Sequence, residues 1–466
     1  MMETCDVLIV GAGPGGLAAA KGAREAGAGK IIVMERDSVP GGILNQCIHD
    51  GFGLIRYGSQ LTGPEYAARA EEEAQGVSVI PGTQVTHITG GRTVTAISRS
   101  GMKKIRAGAV VLATGCRERT RGAISIPGSR PAGIFTAGVA QNLVNIRNIM
   151  PGKEIVILGS GDIGLIMARR LTLEGVSVKA VVEILPEPAG LARNVSQCLY
   201  DFGIPLYVSH TVSNIYGTRR LNGVEISEVG PDMKPVAGTG CRVDCDTLIL
   251  SVGLIPENEV AQTAGVALDA KTNGVLTDAY LQTNIPGIFS CGNCRRVMDL
   301  ADYVSAQGEL AGENAARFLR GEPMRPWDES VGTTMEKGFP KENSVTCTLC
   351  PNGCQVVWDA ELRAFTGNKC PRGEEFALQE RENPRRTLTT SIRLENGERP
   401  LVSIKSARPV EKGSLLELSE RLRAVQASAP VRIGQSLVRL PDGTEFTASG
   451  AVSAQAGRFS ADNLEV

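Results

Sequence analysis

Asp6-Val-Leu-Ile-Val10, then Gly11-Ala-Gly13-Pro-Gly-Gly16, then Ile31-Ile-Val-Met34 closing on Glu35-Arg36, decide the fold of this chain. A continuous apolar run of this kind predicts a parallel strand covered on both faces. The glycines allow a tight turn, let a pyrophosphate approach the backbone, and open a helix that runs to about Ala26. The free N–H groups and dipole of that helix favour an anion. Glu35 follows Gly16 at the separation where a carboxylate would accept from a ribose hydroxyl. A glycine triplet alone is weak evidence; strand, turn, helix, strand and acid in order predict a dinucleotide site.

The unit recurs. Ile155-Val-Ile-Leu158 leads into Gly159-Ser-Gly161-Asp-Ile-Gly164, a helix through Leu173, and a strand from Val178 to Val182. That strand ends at Glu183, which stands as far beyond Gly164 as Glu35 does beyond Gly16. Two such units in one chain need two dinucleotides, and a flavin with a nicotinamide is the usual pair. Glu183 would repel a 2′-phosphate, and the following Ile-Leu-Pro-Glu-Pro offers no Arg or Lys to bind one. NADH is therefore favoured over NADPH. The competing reading makes one copy a structural relic.

Length and composition bound the rest. At 466 residues the chain exceeds one core and suggests about three domains. Lys+Arg 49 against Asp+Glu 50 leaves a formal net charge of -1, which argues against nucleic-acid binding, where cations must neutralise phosphates. No apolar run approaches the roughly 18 residues a membrane-spanning helix needs. The start has no basic n-region before its first strand, so a soluble, cytoplasmic protein is expected. In that compartment 12 Cys are read as metal ligands, redox groups or core fillers before disulfides.

Residues 1–325 resemble the two-dinucleotide-binding flavoprotein superfamily, related to the pyridine nucleotide–disulfide oxidoreductases. Further matching segments are Gly41-Gly42 after the acid, Val111-Leu-Ala-Thr-Gly115, and Thr283-Asn-Ile-Pro-Gly-Ile-Phe-Ser-Cys-Gly292-Asn293. The resemblance implies that the last segment closes an FAD site, with Asn293 where the family usually has Asp. It implies an α/β architecture of two Rossmann-like domains: an FAD domain from 1–125 and 245–325, with an NAD domain, 126–244, inserted. NAD(H) would then serve as cosubstrate, its nicotinamide stacked on the flavin and passing a hydride to N5.

A disulfide reductase of this superfamily carries two flavin-facing cysteines just after Gly-Gly. This chain has one, in Gly41-Gly-Ile-Leu-Asn-Gln-Cys47-Ile-His49, and no His beyond residue 210. Cys47 and His49 remain catalytic candidates, as thiolate or proton donor beside the flavin, against the alternative of a packed loop with a buried thiol. Cys291-Gly-Asn-Cys294 has dithiol spacing but overlaps the flavin-closing segment, so two buried thiols are expected there. Cys5, Cys116, Cys198, Cys241 and Cys245 are expected as core fillers.

Residues 326–342 read as a linker or strap. Cys347-Thr-Leu-Cys350-Pro-Asn-Gly-Cys354 follows, and Cys370-Pro-Arg-Gly stands further along the chain. Four thiols spaced C-x2-C-x3-C-x15-C predict a metal centre. Structural zinc commonly uses paired two-cysteine knuckles, whereas three ligands on one loop and one from afar suit a [4Fe–4S] cluster; zinc stays open. The segment is similar to the cluster-binding start of molybdopterin oxidoreductases. Residues 343–450 more closely resemble an uncharacterised bacterial domain family marked by Cys-Pro-Asn-Gly-Cys and Gly-Asn-Lys-Cys-Pro-Arg-Gly-Glu. That domain is usually encoded separately, beside a flavoprotein like residues 1–325 and a glycerol-3-phosphate-dehydrogenase-like flavoprotein. Here it would be a small C-terminal α+β domain, with strand-like runs around a helix at about 415–427 and a polar tail over 451–466.

Together these readings predict an NADH-linked flavoprotein that passes electrons between nicotinamide, FAD and a cluster, assembled with a dehydrogenase flavoprotein subunit or an electron carrier. Two alternatives differ in class: a flavoenzyme with a zinc-stabilised docking domain, or a non-catalytic partner subunit holding FAD.

Overall fold

A computed structural model describes residues 2–331, 335, 337–341, 343–361 and 363–455. It has the α/β architecture expected. The first sheet runs in the order Ser78–Ile80, Ile31–Met34, Glu3–Val10, Gly101–Leu112, Thr93–Ser98, Thr83–Ile88, and Ile288–Ser290 joins the far half of Gly101–Leu112. The strands that meet the glycine turn are parallel, and the hairpin 83–98 is antiparallel. Val7, Leu8 and Ile9 are fully buried because the helices Pro14–Glu25 and Ala301–Arg320 cover one face and the 83–98 hairpin bends over the other. Each such side chain contributes about 1.5–3 kcal/mol by leaving water.

The second sheet is all parallel: Ile134–Thr136, Thr247–Leu250, Glu154–Leu158, Ser177–Val182, Leu206–Tyr207. The antiparallel layer His210–Gly217, Leu221–Glu228, Cys241–Val243 backs it. This moves one boundary. Thr247–Leu250, placed in the FAD domain by the expected break at 245, pairs on both sides within the NAD sheet. The chain returns only at Leu254–Pro256, which pairs antiparallel with Cys116–Glu118. A buried apolar strand does not advertise which of two parallel sheets it enters.

In the C-terminal domain the sheet order is Gln426–Ser428, Thr389–Glu395, Leu401–Ser406, Glu445–Ala448, Ser436–Arg439, with the helix Leu415–Arg423 packed on it through Leu415, Leu418 and Leu422. The helix expected to reach 427 stops at Arg423, and the chain re-enters the sheet at Gln426. The expected tail also starts later. Val452 is buried and its N–H and C=O exchange hydrogen bonds with Val431, while 456–466 lie outside the described residues.

This domain is bolted to the other two. Arg386 pairs with Asp201 at 2.7 Å, both nearly inaccessible, and with Glu380 of its own domain. Lys405 meets Glu65 at 2.7 Å, Arg169 donates to the Thr387 carbonyl at 3.0 Å, and Leu173 sits in the C-terminal core. The strap lies along the FAD domain, with Trp327 N–H donating to Ala279 O at 2.8 Å. Of the expected linker, 332–334, 336 and 342 lie outside the described residues.

Candidate active site

The two glycine turns are built alike. Gly11 and Gly159 have φ of 100° and 98°, and a Cβ on either would come within 2.4 and 2.1 Å of the Ala113 and Ser251 carbonyl oxygens. Gly16 and Gly164 let each helix pack on its own turn, their Cβ positions meeting the carbonyls of Gly11 and Gly159. Gly13 has nothing within 4 Å of its Cβ position, and Gly161 only the edge of Ser251, so both backbones stand open to a ligand. Below each turn lies its acid. Glu35 accepts from Ala12 N–H at 2.7 Å and Asp37 N–H at 2.8 Å; Glu183 accepts from Ser160 N–H at 2.8 Å and Leu185 N–H at 3.0 Å.

A cavity of about 1780 Å³ joins the two halves. The structure brings Gly11, Gly13, Glu35, Arg36, Gly42, Gly115, Gly161, Gly292 and Asn293 to its wall, together with Cys47 and His49. Gly16, Gly41, Gly159, Gly164 and Glu183 stand behind that wall and shape the turns. Arg36 is occupied by Glu257 at 2.9 Å. Gly42 abuts Gly13, and Gly292 N–H donates to Gln307 at 2.8 Å. Asn293 accepts from Met298 N–H at 3.0 Å, which fixes its amide with the nitrogen toward Cys116. These backbone cradles fit FAD at the first turn and a nicotinamide dinucleotide at the second.

Cys47 and His49 both reach the cavity, and both are uncharged there. Burial pushes the Cys47 thiol up to about 12, and its sulfur lies 3.6 Å from the Gln141 side-chain oxygen. His49, stacked 5.0 Å from Phe52, is pushed down to about 3 by burial and by the nearby Arg193 and Arg169 cations. One is a neutral thiol and the other a neutral imidazole at ordinary pH. Cys291 and Cys294 are buried free thiols; Cys291 is pushed well up by burial. Cys5, Cys198 and Cys245 are core fillers, whereas Cys241 is exposed on its edge strand and Cys116 is half-buried.

Cys347, Cys350, Cys354 and Cys370 line a second cavity of about 260 Å³. Among the described residues, no three such side chains converge closely enough to hold a single metal ion. Cys347 N–H donates to the Cys354 carbonyl at 2.9 Å, closing the loop, and Cys370 caps the helix Pro371–Glu382. The two cavities share a wall: Pro351 lines both, and at the start of the helix Ala301–Arg320 Asp302 and Val304 face the large one while Tyr303 and, from another loop, Leu54 face the small one.

Sequence reasoning missed several polar groups at the large cavity: Gln141, Asn145, Arg169, Arg170, Arg193 and Asn194. Their only signal was polarity within helices otherwise buried, such as Arg169-Arg170 in the second glycine helix.

Two Rossmann-like cradles facing one cavity define a flavin- and nicotinamide-dependent oxidoreductase. Residues 5–308 match the family model for pyridine nucleotide-disulphide oxidoreductases, and the chain belongs to that family. Residues 371–446 match a family described as a protein of unknown function, DUF1667. One of the opine oxidase subunits of Agrobacterium tumefaciens (strain Ach5) is 27% identical over 339 residues, 67% of this chain and 64% of that relative's own length. The ferredoxin reductase component of chlorobenzene dioxygenase from Cupriavidus sp. (strain PS12) is 26% identical over 70% of this chain and 80% of its own. The thioredoxin reductase of T. acidophilum superposes with a TM-score of 0.56 at 20% identity, covering 68% of this chain and 99% of that one, a likeness of fold. The chain is an FAD-dependent NAD(P)H oxidoreductase. No helix among the described residues is long and apolar enough to cross a membrane.

Proposed function

We propose that the chain passes electrons between NADH, FAD and a [4Fe–4S] cluster held by Cys347, Cys350, Cys354 and Cys370, as the electron-transfer component of a dehydrogenase system acting on glycerol 3-phosphate or a similar hydroxy compound. Bound flavin supplies the exchange between two-electron and one-electron chemistry. The single observation that carries the reading is the shared wall at Pro351, which sets the cysteine cavity directly against the dinucleotide cavity. A cavity of about 260 Å³ rimmed by four thiols suits a cluster better than one tetrahedral ion, whose ligands would close on it at about 2.3 Å.

The chain's own residues have distinct tasks. Gly13 and Gly161 present bare backbone to the two diphosphates, Glu35 and Glu183 fix the turns, with Glu35 on the cavity wall where a ribose would lie, and Gly292 with Asn293 closes the flavin's pocket. Glu183 also disfavours a 2′-phosphate, which supports NADH. The opine oxidase relative and the dioxygenase reductase component are both named as parts of larger oxidoreductases, which supports a partner subunit or carrier here. Iron, acid-labile sulfide and zinc should be measured on anaerobically purified protein, beside its visible spectrum during NADH titration. Four irons and four sulfides per chain, with flavin bleaching on NADH, are expected. Stoichiometric zinc, or a flavin that NADH leaves oxidised, overturns the reading.

A further inference from the structure

Arg193, in the helix Ala192–Cys198, and Arg169, in the helix Asp162–Leu173, line the large cavity close to His49. They are only 5% and 7% exposed. Yet Nε and Nη1 of Arg193 and Nε of Arg169 have no hydrogen-bond partner, and neither guanidinium has a carboxylate within ion-pair distance among the described residues. The adjacent Arg170 shows the contrast: its guanidinium is used by Glu174, Asn145 and Ser391. Of the acids nearby, Asp162 has an oxygen taken by Leu191 N–H and Asn194, both at 2.8 Å, and Asp50, next to Gly51, accepts from Gln60 at 2.7 Å. His49 and Cys198, both within reach of the two cations, are neutral. Two buried cations without a counter-charge are unfavourable unless something supplies one.

The backbone is shaped around this charge. Gly51, at φ 116°, passes so close to Arg193 that a Cβ would lie 2.6 Å from Nη2. Unpartnered guanidinium N–H groups of this kind, on Nε and Nη1 of Arg193 and Nε of Arg169, are donors that pair with the oxygens of an oxyanion. We infer that Arg193 and Arg169 bind the carboxylate or phosphate group of a small anionic substrate or effector, holding its remainder between His49 and Gln141 in the cavity that also takes the flavin. This names the substrate class for the function proposed above and rests on that reading for the flavin's place. The anion test itself uses oxidised protein without NADH and is blind to the metal, so the two can fail separately.

Oxidised, flavin-loaded protein is titrated with inorganic phosphate and, separately, with acetate, at constant ionic strength against a chloride control. A saturable change in flavin absorbance with one of them is expected, and which one responds distinguishes phosphate from carboxylate. Arg193→Met should weaken that response at least tenfold, with partial recovery in Arg193→Lys. Because Arg193→Met removes an uncompensated buried charge, it should melt no lower than the parent, and the anion should raise the Tm of the parent alone. Arg169→Met provides the same readout should the first variant lose its flavin. No response beyond chloride with either anion, or a response that survives both Met variants, overturns the inference. So does a tenfold loss of NADH affinity in Arg193→Met, which would assign the guanidinium to the nicotinamide dinucleotide.

Discussion

The Glu183 carboxylate accepts the backbone N–H of Ser160 at 2.8 Å and its hydroxyl at 2.5 Å, both groups buried beneath the second glycine turn. Glu35 holds Ala12 in the same way beneath the first. Each glutamate therefore sets a turn, and on the proposed reading each also serves its own dinucleotide, so the two can be tested against each other. A hydrogen bond to a charged group contributes about 1.5–3 kcal/mol, which corresponds to about tenfold or more in affinity. Glu183→Gln should raise KM for NADH by that factor and leave flavin content unchanged. Glu35→Gln should do the reverse, lowering flavin occupancy as measured by absorbance per chain.

Cys47 is expected to be dispensable for NADH oxidation. With its thiol held at about 12 by burial, almost no thiolate exists at neutral pH to attack a disulfide or a peroxide. Cys47→Ala should oxidise NADH with an artificial acceptor within twofold of the parent between pH 6 and 9. A thiolate mechanism would instead abolish turnover in the variant and show a step in the parent's pH profile.

The two glycine units, their acids and their order were legible because a turn that must admit a phosphate tolerates few sequences. The four-cysteine spacing pointed to side chains that do line one small cavity, though among the described residues no three of them converge on a single metal ion. What escaped was set by packing between segments far apart in the chain. Thr247–Leu250 is apolar enough for either sheet, and only its neighbours Ile134–Thr136 and Glu154–Leu158 decide which. The ionisation of His49 depends on its burial and then on Arg193 and Arg169, distant in the chain. Val452 reads as part of a polar tail until Val431 is found opposite it.

His49 should make the protein sensitive to mild acid. Its folded value, about 3, lies below its unfolded value of about 6.5. Above pH 6.5 both states are neutral and the group contributes nothing to the pH dependence. As pH falls from 6.5 toward 3, the unfolded chain takes up a proton that the native state refuses, so stability drops by up to about 1.4 kcal/mol per pH unit. Chemical denaturation of His49→Gln and the parent should diverge across that window and run parallel above it.

Arg386 and Asp201 tie the C-terminal domain to the NAD domain through a buried pair. Asp201→Ala removes two charge-assisted hydrogen bonds from Arg386, which keeps Glu380, at a cost of about 1.5–3 kcal/mol. Asp201→Ala should therefore expose the segment around 383–388 to proteolysis and lower the Tm. Arg386→Met combined with Asp201→Leu should recover most of the loss, since the site then holds two apolar side chains and Glu380 still has Lys412.

Cys370 gives the sharpest test of the cluster. Between Cys354 and Cys370 the chain makes the strands Gln355–Asp359 and Ala364–Thr366 before returning. The Cys370 backbone is extended, at φ -157° and ψ 161°, and Pro371 begins the helix that points its positive end at the same cavity. If a [4Fe–4S] cluster is held here as proposed, Cys370 would supply the fourth ligand that the three loop cysteines lack. Cys370→Ser should lower iron per chain and abolish reduction of one-electron acceptors by NADH. The flavin should still bleach, because the glycine turns are untouched. Cys241→Ser, at an exposed thiol on another domain, should change neither. Full iron and unimpaired one-electron transfer in Cys370→Ser would mean the centre, wherever it lies, is not held by these four sulfurs.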